Sequence, residues 1–352
     1  MIKQIEKQWA TISIIVITLC GLGLRLYQIT GQQLNIDEVT TLGIANHTSA
    51  FIVSYSLGHD NNPPLYYLFA HWSSVLLEGY SAFSIRIPAV IFGTLAIPVI
   101  YLIGKEIKNA TLGLLLAALV SFICPYCWYS QDARAYSLVF MAFAGFTWFF
   151  VKLYRGNRNR NYLLGLSFFA ALCLWSHFYS LLPVILAGII LMGKDRASTT
   201  YAAIYTAILL APMAIFFGVN QLWLRTAAQF GNPLWHPWNY VALWLPNELF
   251  GLSWVVVIPL VGYALSRPKD EILYYFVLIG GITTMELLPL SLITSISPRY
   301  ALLVAPLLLL VALYPVSDWI DGQKTVLEKS ALFTGIILLF FIVNLGSIPP
   351  WV

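Results

Sequence analysis

The sequence predicts an all-α polytopic membrane protein of about eleven transmembrane helices, with interfacial helices in its first outer loop. Hydrophobic residues make up 59% of the 352 positions and charged residues only 10%, so little of the chain can face water. Apolar runs of roughly 20 residues, the length that crosses a bilayer core, recur along nearly the entire chain. We therefore expect one transmembrane domain over residues 1–352 and no soluble C-terminal domain.

Eleven segments have the length and hydropathy of membrane spans. The first ends without a small-residue cleavage site, which predicts an anchor and not a cleaved signal peptide. Residues 65–77 are also apolar, but the segment is short and aromatic, so we interpret it as a helix in the outer interface. The predicted spans are 9–28, 86–104, 109–127, 136–154, 162–176, 179–193, 199–219, 251–266, 271–293, 300–316 and 330–346.

The basic residues predict the orientation of these spans. With the N-terminus inside, all nine lysines and five of the ten arginines lie in inner loops, as the positive-inside rule requires. We expect a multi-pass protein of the plasma (inner) membrane with a cytoplasmic N-terminus and an outer C-terminus. Membrane lipids are expected partners, and nucleic acid is not. The outer loops are then 29–85, 128–135, 220–250 and 294–299.

The outer loops contain polar residues whose pattern indicates a functional site. Asp37 and Glu38 are adjacent just beyond the first span, and Asp132 and Arg134 precede the fourth. Five arginines and no lysine lie outside, although positive-inside sorting excludes basic residues there. Guanidinium groups bind phosphate bidentately. The pattern suggests a substrate that carries both phosphate and hydroxyl groups.

Each outer feature also has a purely structural interpretation. Asp132 and Arg134 could pair and cap the following helix, because an acidic residue favours a helix N-terminus. Arg299 alone matches a snorkelling arginine at a helix end, and a histidine in a tight turn, such as His177, is more often an interfacial residue than a ligand. The aromatic loop 220–250 fits an interfacial belt or a sugar-stacking surface equally well. The functional interpretation rests on the shared side of these groups.

Several short motifs follow one another on this outer side. They are Asp37-Glu38, His59-Asp60-Asn61-Asn62-Pro63-Pro64-Leu65-Tyr66-Tyr67, Ser84-Ile85-Arg86-Ile87-Pro88, Tyr129-Ser130-Gln131-Asp132-Ala133-Arg134-Ala135-Tyr136 and Pro298-Arg299-Tyr300. In order and spacing they resemble the C-type glycosyltransferase superfamily, most closely its protein-mannosyltransferase-like branch. That branch includes protein O-mannosyltransferases, lipid A aminoarabinose transferases and rhizobial lipopolysaccharide-core sugar transferases. The resemblance is dense over residues 25–192 and thin afterwards. Asn62 departs from it, because some members have a lysine there.

The resemblance implies a membrane glycosyltransferase domain that moves a sugar from a polyprenyl-phosphate-linked donor to a lipid, glycan or protein acceptor on the outer face of the membrane. Asp37 matches the catalytic carboxylate, with Glu38 as its partner. The candidate residues are Asp37, Glu38 and Asp132 for catalysis; Arg134, Arg299, Tyr300 and Arg86 for the donor phosphate; and His59, Asp60, Asn62, Tyr66, Gln131 and His177 for substrate binding.

The chemistry of glycosyl transfer suggests roles for these groups. Attack of a hydroxyl on the anomeric carbon needs a base on one face and cations beside the departing phosphate. We predict Asp37 as the general base and direct displacement with inversion, since no matching covalent nucleophile is present. No cofactor is expected. A divalent metal is not favoured, because the spacing of the outer acids and histidines matches no closed site.

A polytopic transporter or lipid flippase without chemistry is the main alternative. Such folds tend to show internal repeats, broken helices and charges near the midplane. This sequence shows no clear repeat, and its charges gather at one surface. Glu286, within the ninth predicted span, has no assigned role. A catalytically inactive membrane scaffold is a third interpretation, against which the intact carboxylate pair argues.

Overall fold

The structure, a computed structural model, describes residues 2–60, 62–220, 238–291 and 297–344, and every regular element in these ranges is helical. Short 3-10 helices occupy Phe178–Ser180, Gly251–Ser253 and Pro298–Val304. The α-helices are α1 (Ile2–Leu26), α2 (Ile36–Ala45), α3 (Ser49–His59), α4 (Leu65–Leu76), α5 (Ala82–Ile107), α6 (Ala110–Phe122), α7 (Cys124–Trp128), α8 (Tyr136–Tyr154), α9 (Arg160–Ser176), α10 (Leu181–Lys194), α11 (Arg196–Asn220), α12 (Trp238–Phe250), α13 (Trp254–Ser266), α14 (Ile272–Met285), α15 (Leu287–Ser291), α16 (Ala305–Asp321) and α17 (Val326–Asn344).

The predicted all-α membrane architecture is confirmed. Within the described ranges, eight helical segments are long and apolar enough to cross a membrane. They coincide with eight of the eleven predicted spans. The other three predicted spans correspond to α6, α9 and α10, which have 13, 17 and 14 residues. The count of eleven is therefore not confirmed.

Pro125 accounts for the shortness of α6. The helix ends where Ile123 becomes extended, with ψ at 130°. Because proline has no N–H, the carbonyl of Ser121 loses its helical donor. The buried Arg25 guanidinium donates to the carbonyls of Ser121 and Val120 at 3.4 and 3.0 Å. These bonds give Arg25, one of the five arginines assigned to the outer side, a structural role.

The first outer loop folds into α2, α3 and α4, which cover the outer end of the bundle. Asn35 caps α2 by accepting a hydrogen bond from the backbone N–H of Glu38 at 2.9 Å. The predicted helix at 65–77 is α4. It packs on α5, and the buried hydroxyl of Tyr66 donates to the carbonyl of Ile85 at 2.9 Å. This bond anchors the loop to α5, and the substrate-binding role of Tyr66 stays a prediction.

The second outer loop, residues 128–135, packs closely against α5. Ser130 lies against Gly93, where a Cβ atom would collide with the Ser130 side chain. The 3-10 helix Pro298–Val304 packs against α8, which follows this loop. This arrangement brings the three outer motifs, which are far apart in sequence, to the same end of the bundle.

Candidate active site

A buried ion pair joins the first outer loop to α5. Glu38, which is 1% exposed, accepts hydrogen bonds from Nε and Nη2 of Arg86 at 2.7 and 2.6 Å. The same carboxylate accepts from the backbone N–H of Asn35 at 3.2 Å, completing the capping box of α2. It also accepts from the backbone N–H of Ala133 at 2.9 Å. One carboxylate therefore connects α2, α5 and the second outer loop.

The remaining donors of Arg86 are also occupied by protein oxygens. Nη1 donates to the carbonyls of Ile29 and Gln32 at 2.6 and 3.2 Å. Nη2 donates to the carbonyl of Gln33 at 3.3 Å in addition to Glu38. A guanidinium in this state has little left to offer a phosphate. The contacts favour positioning roles for Glu38 and Arg86 over the predicted catalytic and phosphate-binding roles.

The neighbouring carboxylate, Asp37, has a different environment. Its Oδ2 accepts a hydrogen bond from Nη2 of Arg299 at 2.7 Å. The two side chains are 32% and 25% exposed. Consecutive residues of an α-helix point about 100° apart, so α2 buries Glu38 and leaves Asp37 accessible. Of the two adjacent acids, Asp37 is the one that a substrate can reach.

One N–H donor group of Arg299 is hydrogen-bonded to Asp37, and another has no acceptor. It projects from the 3-10 helix, and its guanidinium carbon lies 5.1 Å from the centre of the Tyr136 ring. Nη2 donates to Asp37. Nε is buried and has no hydrogen-bond partner within the described part of the chain. A buried donor without an acceptor is costly, and an anionic ligand would satisfy it.

A chain of hydrogen bonds from the first outer loop holds Arg134. Its Nη1 donates to the Tyr67 hydroxyl at 3.1 Å, and that hydroxyl donates to Oδ2 of Asp60 at 3.0 Å. Burial raises the pKa of Tyr67, so the hydroxyl keeps its proton. Asp60 also accepts from the backbone N–H and the side-chain amide of Asn62 at 2.9 and 3.1 Å. Asp60 and Asn62 are thus connected to Arg134 through Tyr67.

Asp132 lies near Arg134 and is 6% exposed. Nδ2 of Asn35 donates to its Oδ1 at 3.2 Å. Burial, and then the Glu38 charge, raise the pKa of Asp132 from 3.8 to about 6. Arg299 and Arg134 oppose that rise without cancelling it. The carboxyl group therefore titrates close to neutral pH.

An aromatic wall borders Arg299. The ring centres of His177 and Tyr300 are 4.9 Å apart, and those of Tyr300 and Tyr136 are 6.3 Å apart. Nδ1 of His177 accepts from the backbone N–H of Tyr179 at 3.2 Å. Burial, reinforced by the two neighbouring arginines, lowers the pKa of His177 to about 3. The imidazole is thus neutral near pH 7 and adds no charge to the site.

Two further predicted substrate-binding residues lie at the edges of the site. Nε2 of Gln131 donates to the carbonyls of Arg25 and Tyr27 at 3.0 and 2.8 Å, which ties the second outer loop to the end of α1. His59 is exposed and stacks on Tyr55, with ring centres 5.4 Å apart. The substrate-binding roles of Gln131 and His59 stay predictions.

The site also contains residues that the sequence did not single out. The Tyr129 hydroxyl donates to Oε2 of Glu248 at 2.5 Å, and Glu248 is 5% exposed. Tyr67 and Asn35 are two more residues of the site that were not among the predicted site residues. The sequence did contain a signal for Tyr129 and Glu248, because Tyr129 begins the second outer motif and Glu248 is an outer carboxylate. Asn61, residues 221–237 of the loop 220–250 and residues 294–296 of the loop 294–299 lie outside the described residues.

Hydrogen bonds and ring contacts bring predicted residues together, but the open space around them is divided into two separate hollows. One hollow, of about 20 Å³, is lined by residues that include Asn35, Glu38 and Asp132. A second, too narrow for a water molecule, is lined by residues that include His177 and Arg299. The ion pair of Asp37 with Arg299 connects the first outer loop to the aromatic wall. A donor head group would have to occupy the region of that ion pair.

The fold and part of the sequence are similar to those of known proteins. The family model of dolichyl-phosphate-mannose-protein mannosyltransferases matches residues 61–223. The structure of ArnT from Cupriavidus metallidurans bound to undecaprenyl phosphate matches with a TM-score of 0.66 at 14% identity, over 94% of this chain and 63% of that one. The Archaeoglobus fulgidus oligosaccharyltransferase in its apo form matches with a TM-score of 0.65 at 13% identity, over 97% and 56%.

A third match is the Archaeoglobus fulgidus oligosaccharyltransferase AglB in complex with an inhibitory peptide and a dolichol-phosphate. Its TM-score is 0.60 at 12% identity, over 96% of this chain and 56% of that one. The chain spans between about half and two thirds of the length of these proteins. No curated protein sequence matches it. By the family match over residues 61–223 and by its fold, the chain is confirmed to resemble the protein-mannosyltransferase-like branch of the C-type glycosyltransferase superfamily.

Proposed function

We propose that this chain is a membrane glycosyltransferase that moves a sugar from a polyprenyl-phosphate-linked donor to an acceptor hydroxyl on the outer face of the membrane. The observation that carries the proposal is the contact of Asp37 with Arg299. It places an accessible carboxylate, suited to act as a base, beside a cation suited to bind phosphate. The family match, and the lipid phosphates bound to two of the similar structures, support a donor of this class.

Donor binding begins with Arg299 and Arg134. A phosphate oxygen takes the place of the Asp37 carboxylate on Nη2 of Arg299, because both are anions that need the same donor. A second oxygen accepts from Nε, which has no partner in the described residues. Arg134 supplies further N–H groups, since the described contacts use only its Nη1. Two preorganised guanidinium groups stabilise the charge that develops on the departing phosphate.

The chemical step then uses the released Asp37. Its carboxylate accepts the proton of the acceptor hydroxyl as the hydroxyl oxygen bonds to the anomeric carbon. The bond between that carbon and the phosphate oxygen breaks, and its electron pair leaves with the polyprenyl phosphate. One displacement inverts the anomeric configuration. A base positioned in this way contributes about 10²- to 10⁴-fold to the rate.

The surrounding residues position these groups. Glu38 and Arg86 hold α2, which presents Asp37. Tyr67 holds Arg134, and Asp132 orients the two arginines by its charge when it is ionised. Tyr300 and His177 form an uncharged wall against which the donor head group packs. No cofactor is needed for this step, and among the described residues no three His, Cys, Asp or Glu side chains are grouped as metal ligands.

The acceptor is a lipid, a glycan or a protein that reaches the outer face. The lysines and arginines of the inner loops support a plasma-membrane protein with a cytoplasmic N-terminus and an outer site.

The proposal is tested with the full chain purified in detergent, a panel of polyprenyl-phosphate sugars, and a lipid, a glycan and a peptide offered as acceptors. We expect one donor to be consumed, with release of polyprenyl phosphate and transfer of its sugar, in the presence and absence of a chelator. Asp37→Asn is the matched inactive control. If every donor stays chemically intact but crosses the bilayer of proteoliposomes, the chain is a transporter or flippase and the proposal is wrong.

A further inference from the structure

A groove lies between α13 and α16 at the end of the bundle remote from Asp37. It has a volume of about 490 Å³ and is lined mainly by apolar side chains, including Leu260, Ala264 and Val316. Its α16 residues begin at Tyr314, fifteen positions beyond Arg299. At 1.5 Å per residue this separates the groove from the candidate active site by about 20 Å along the helix axis. The groove is therefore distinct from the site described above.

The rim of the groove carries an excess of positive charge. Nζ of Lys269 and Nζ of Lys108 lie 2.9 and 2.8 Å from the two carboxylate oxygens of Asp318. Arg267 also lines the groove, is exposed, and forms no ion pair within the described residues. The lining of the groove thus contains two cations, Arg267 and Lys269, and one carboxylate, Asp318. Arg267 has its charge available for a ligand.

Two large aromatic side chains lie beside these charges. Tyr263 and Trp319 line the groove and are 52% and 59% exposed. Tyrosine and tryptophan favour the head-group level of a bilayer, where a ring has both apolar and polar surroundings. Basic pockets between membrane helices on the cytoplasmic side suit phospholipid head groups. The groove has these features and lies at the lysine-rich end of the bundle.

We propose that this groove binds an anionic phospholipid of the inner leaflet. An acyl chain lies along the apolar walls formed by α13 and α16, and the head-group phosphate contacts Arg267 and Lys269. The apolar walls argue against a small soluble anion, which would gain nothing from them. The surplus of cations argues for an anionic lipid over a zwitterionic one. Such a lipid fills the space between two helices and stabilises their packing.

The test uses native mass spectrometry of the full chain with phosphatidylglycerol or phosphatidylethanolamine added. We expect the wild type to retain phosphatidylglycerol preferentially. In Arg267→Gln/Lys269→Gln retention should fall roughly 30-fold, at about fivefold for each basic residue near a membrane surface. Asp318 keeps Lys108 in this variant, so the fold should persist. An unchanged unfolding midpoint without added lipid checks this.

Arg160→Gln/Lys324→Gln is the matched control, because both residues are exposed basic residues of the inner side and neither lines the groove. It should retain phosphatidylglycerol like the wild type. Equal loss in this control, equal retention of the two lipids, or wild-type retention in Arg267→Gln/Lys269→Gln would each overturn the proposal. Donor consumption is a separate measurement, so failure here leaves the proposed transferase activity standing.

Discussion

The Asp37 carboxylate accepts a hydrogen bond from Arg299 at 2.7 Å across 262 positions of sequence. In this arrangement the proposed base is neutralised by the proposed phosphate ligand. A donor phosphate that binds Arg299 must displace Asp37 and thereby frees it to accept a proton. The base is thus available only when the donor is in place.

Asp37→Asn should abolish transfer while it preserves donor binding. The amide cannot take the proton, so we expect a rate lower by about 10²- to 10⁴-fold. Donor affinity should stay equal or rise, because Arg299 no longer has an anionic competitor. Binding of polyprenyl phosphate by thermal shift and turnover by product analysis measure the two effects. A folded variant with full turnover would exclude Asp37 as the base.

Glu38→Gln should destabilise the protein, because it leaves the Arg86 charge buried without its partner. Removal of one member of a buried ion pair costs about 3–5 kcal/mol. We expect a clearly lower unfolding midpoint in detergent, whereas Glu78→Gln, an exposed acid of the same loop, should match the wild type. If Glu38→Gln has normal stability but no turnover, the predicted catalytic role of Glu38 is right and the positioning role is wrong.

Arg134→Ala should weaken donor binding more than acceptor binding. A hydrogen bond from a charged group is worth about 1.5–3 kcal/mol, which corresponds to roughly 10- to 100-fold in donor affinity. Tyr67→Phe should have a smaller effect, since it removes a positioning contact and leaves the charge. Arg160→Ala, on the opposite side of the membrane, is the control. Unchanged donor affinity in Arg134→Ala would count against its phosphate role.

Asp132 should make the protein less stable as pH rises from 4 to 7. Its pKa is raised from 3.8 to about 6 in the folded state, so the folded protein holds that proton more tightly. The stabilising effect is complete below about pH 4 and disappears as pH passes 6. The shift corresponds to roughly 2–3 kcal/mol.

Unfolding midpoints of the wild type and Asp132→Asn, compared at pH 5 and pH 7, measure this effect. The difference between them should change in the variant's favour at the higher pH. His177 affects the wild type and the variant alike, because its lowered pKa gives the opposite slope in both. A pH-independent difference would show that Asp132 does not titrate in this range.

Much of the site was predictable because membrane topology sorts residues by side. Asp37, Asp132, Arg134 and Arg299 were assigned to one outer surface from the alternation of loops alone, and the structure brings them together. The family motifs pointed to the same residues. The shared side of these residues over long sequence separations thus follows from hydropathy and charge, whereas their contacts follow from packing.

The different environments of the two adjacent acids were not predictable from membrane topology. Asp37 and Glu38 differ in role because α2 turns by about 100° between them, and only its packing on α5 decides which one is buried. The partner of Glu38 is Arg86, 48 positions away, and no local pattern identifies it. The length of α6 was not predictable for a related reason, because the break before Pro125 depends on Arg25 to satisfy the exposed carbonyls.

Arg25 supplies hydrogen-bond donors near the point where Pro125 has no amide hydrogen, and its guanidinium lies buried against the carbonyls of Val120 and Ser121. An arginine used in this way is part of the helix packing and is not available to a ligand. A count of outer arginines therefore overstates the number of candidate phosphate ligands by one.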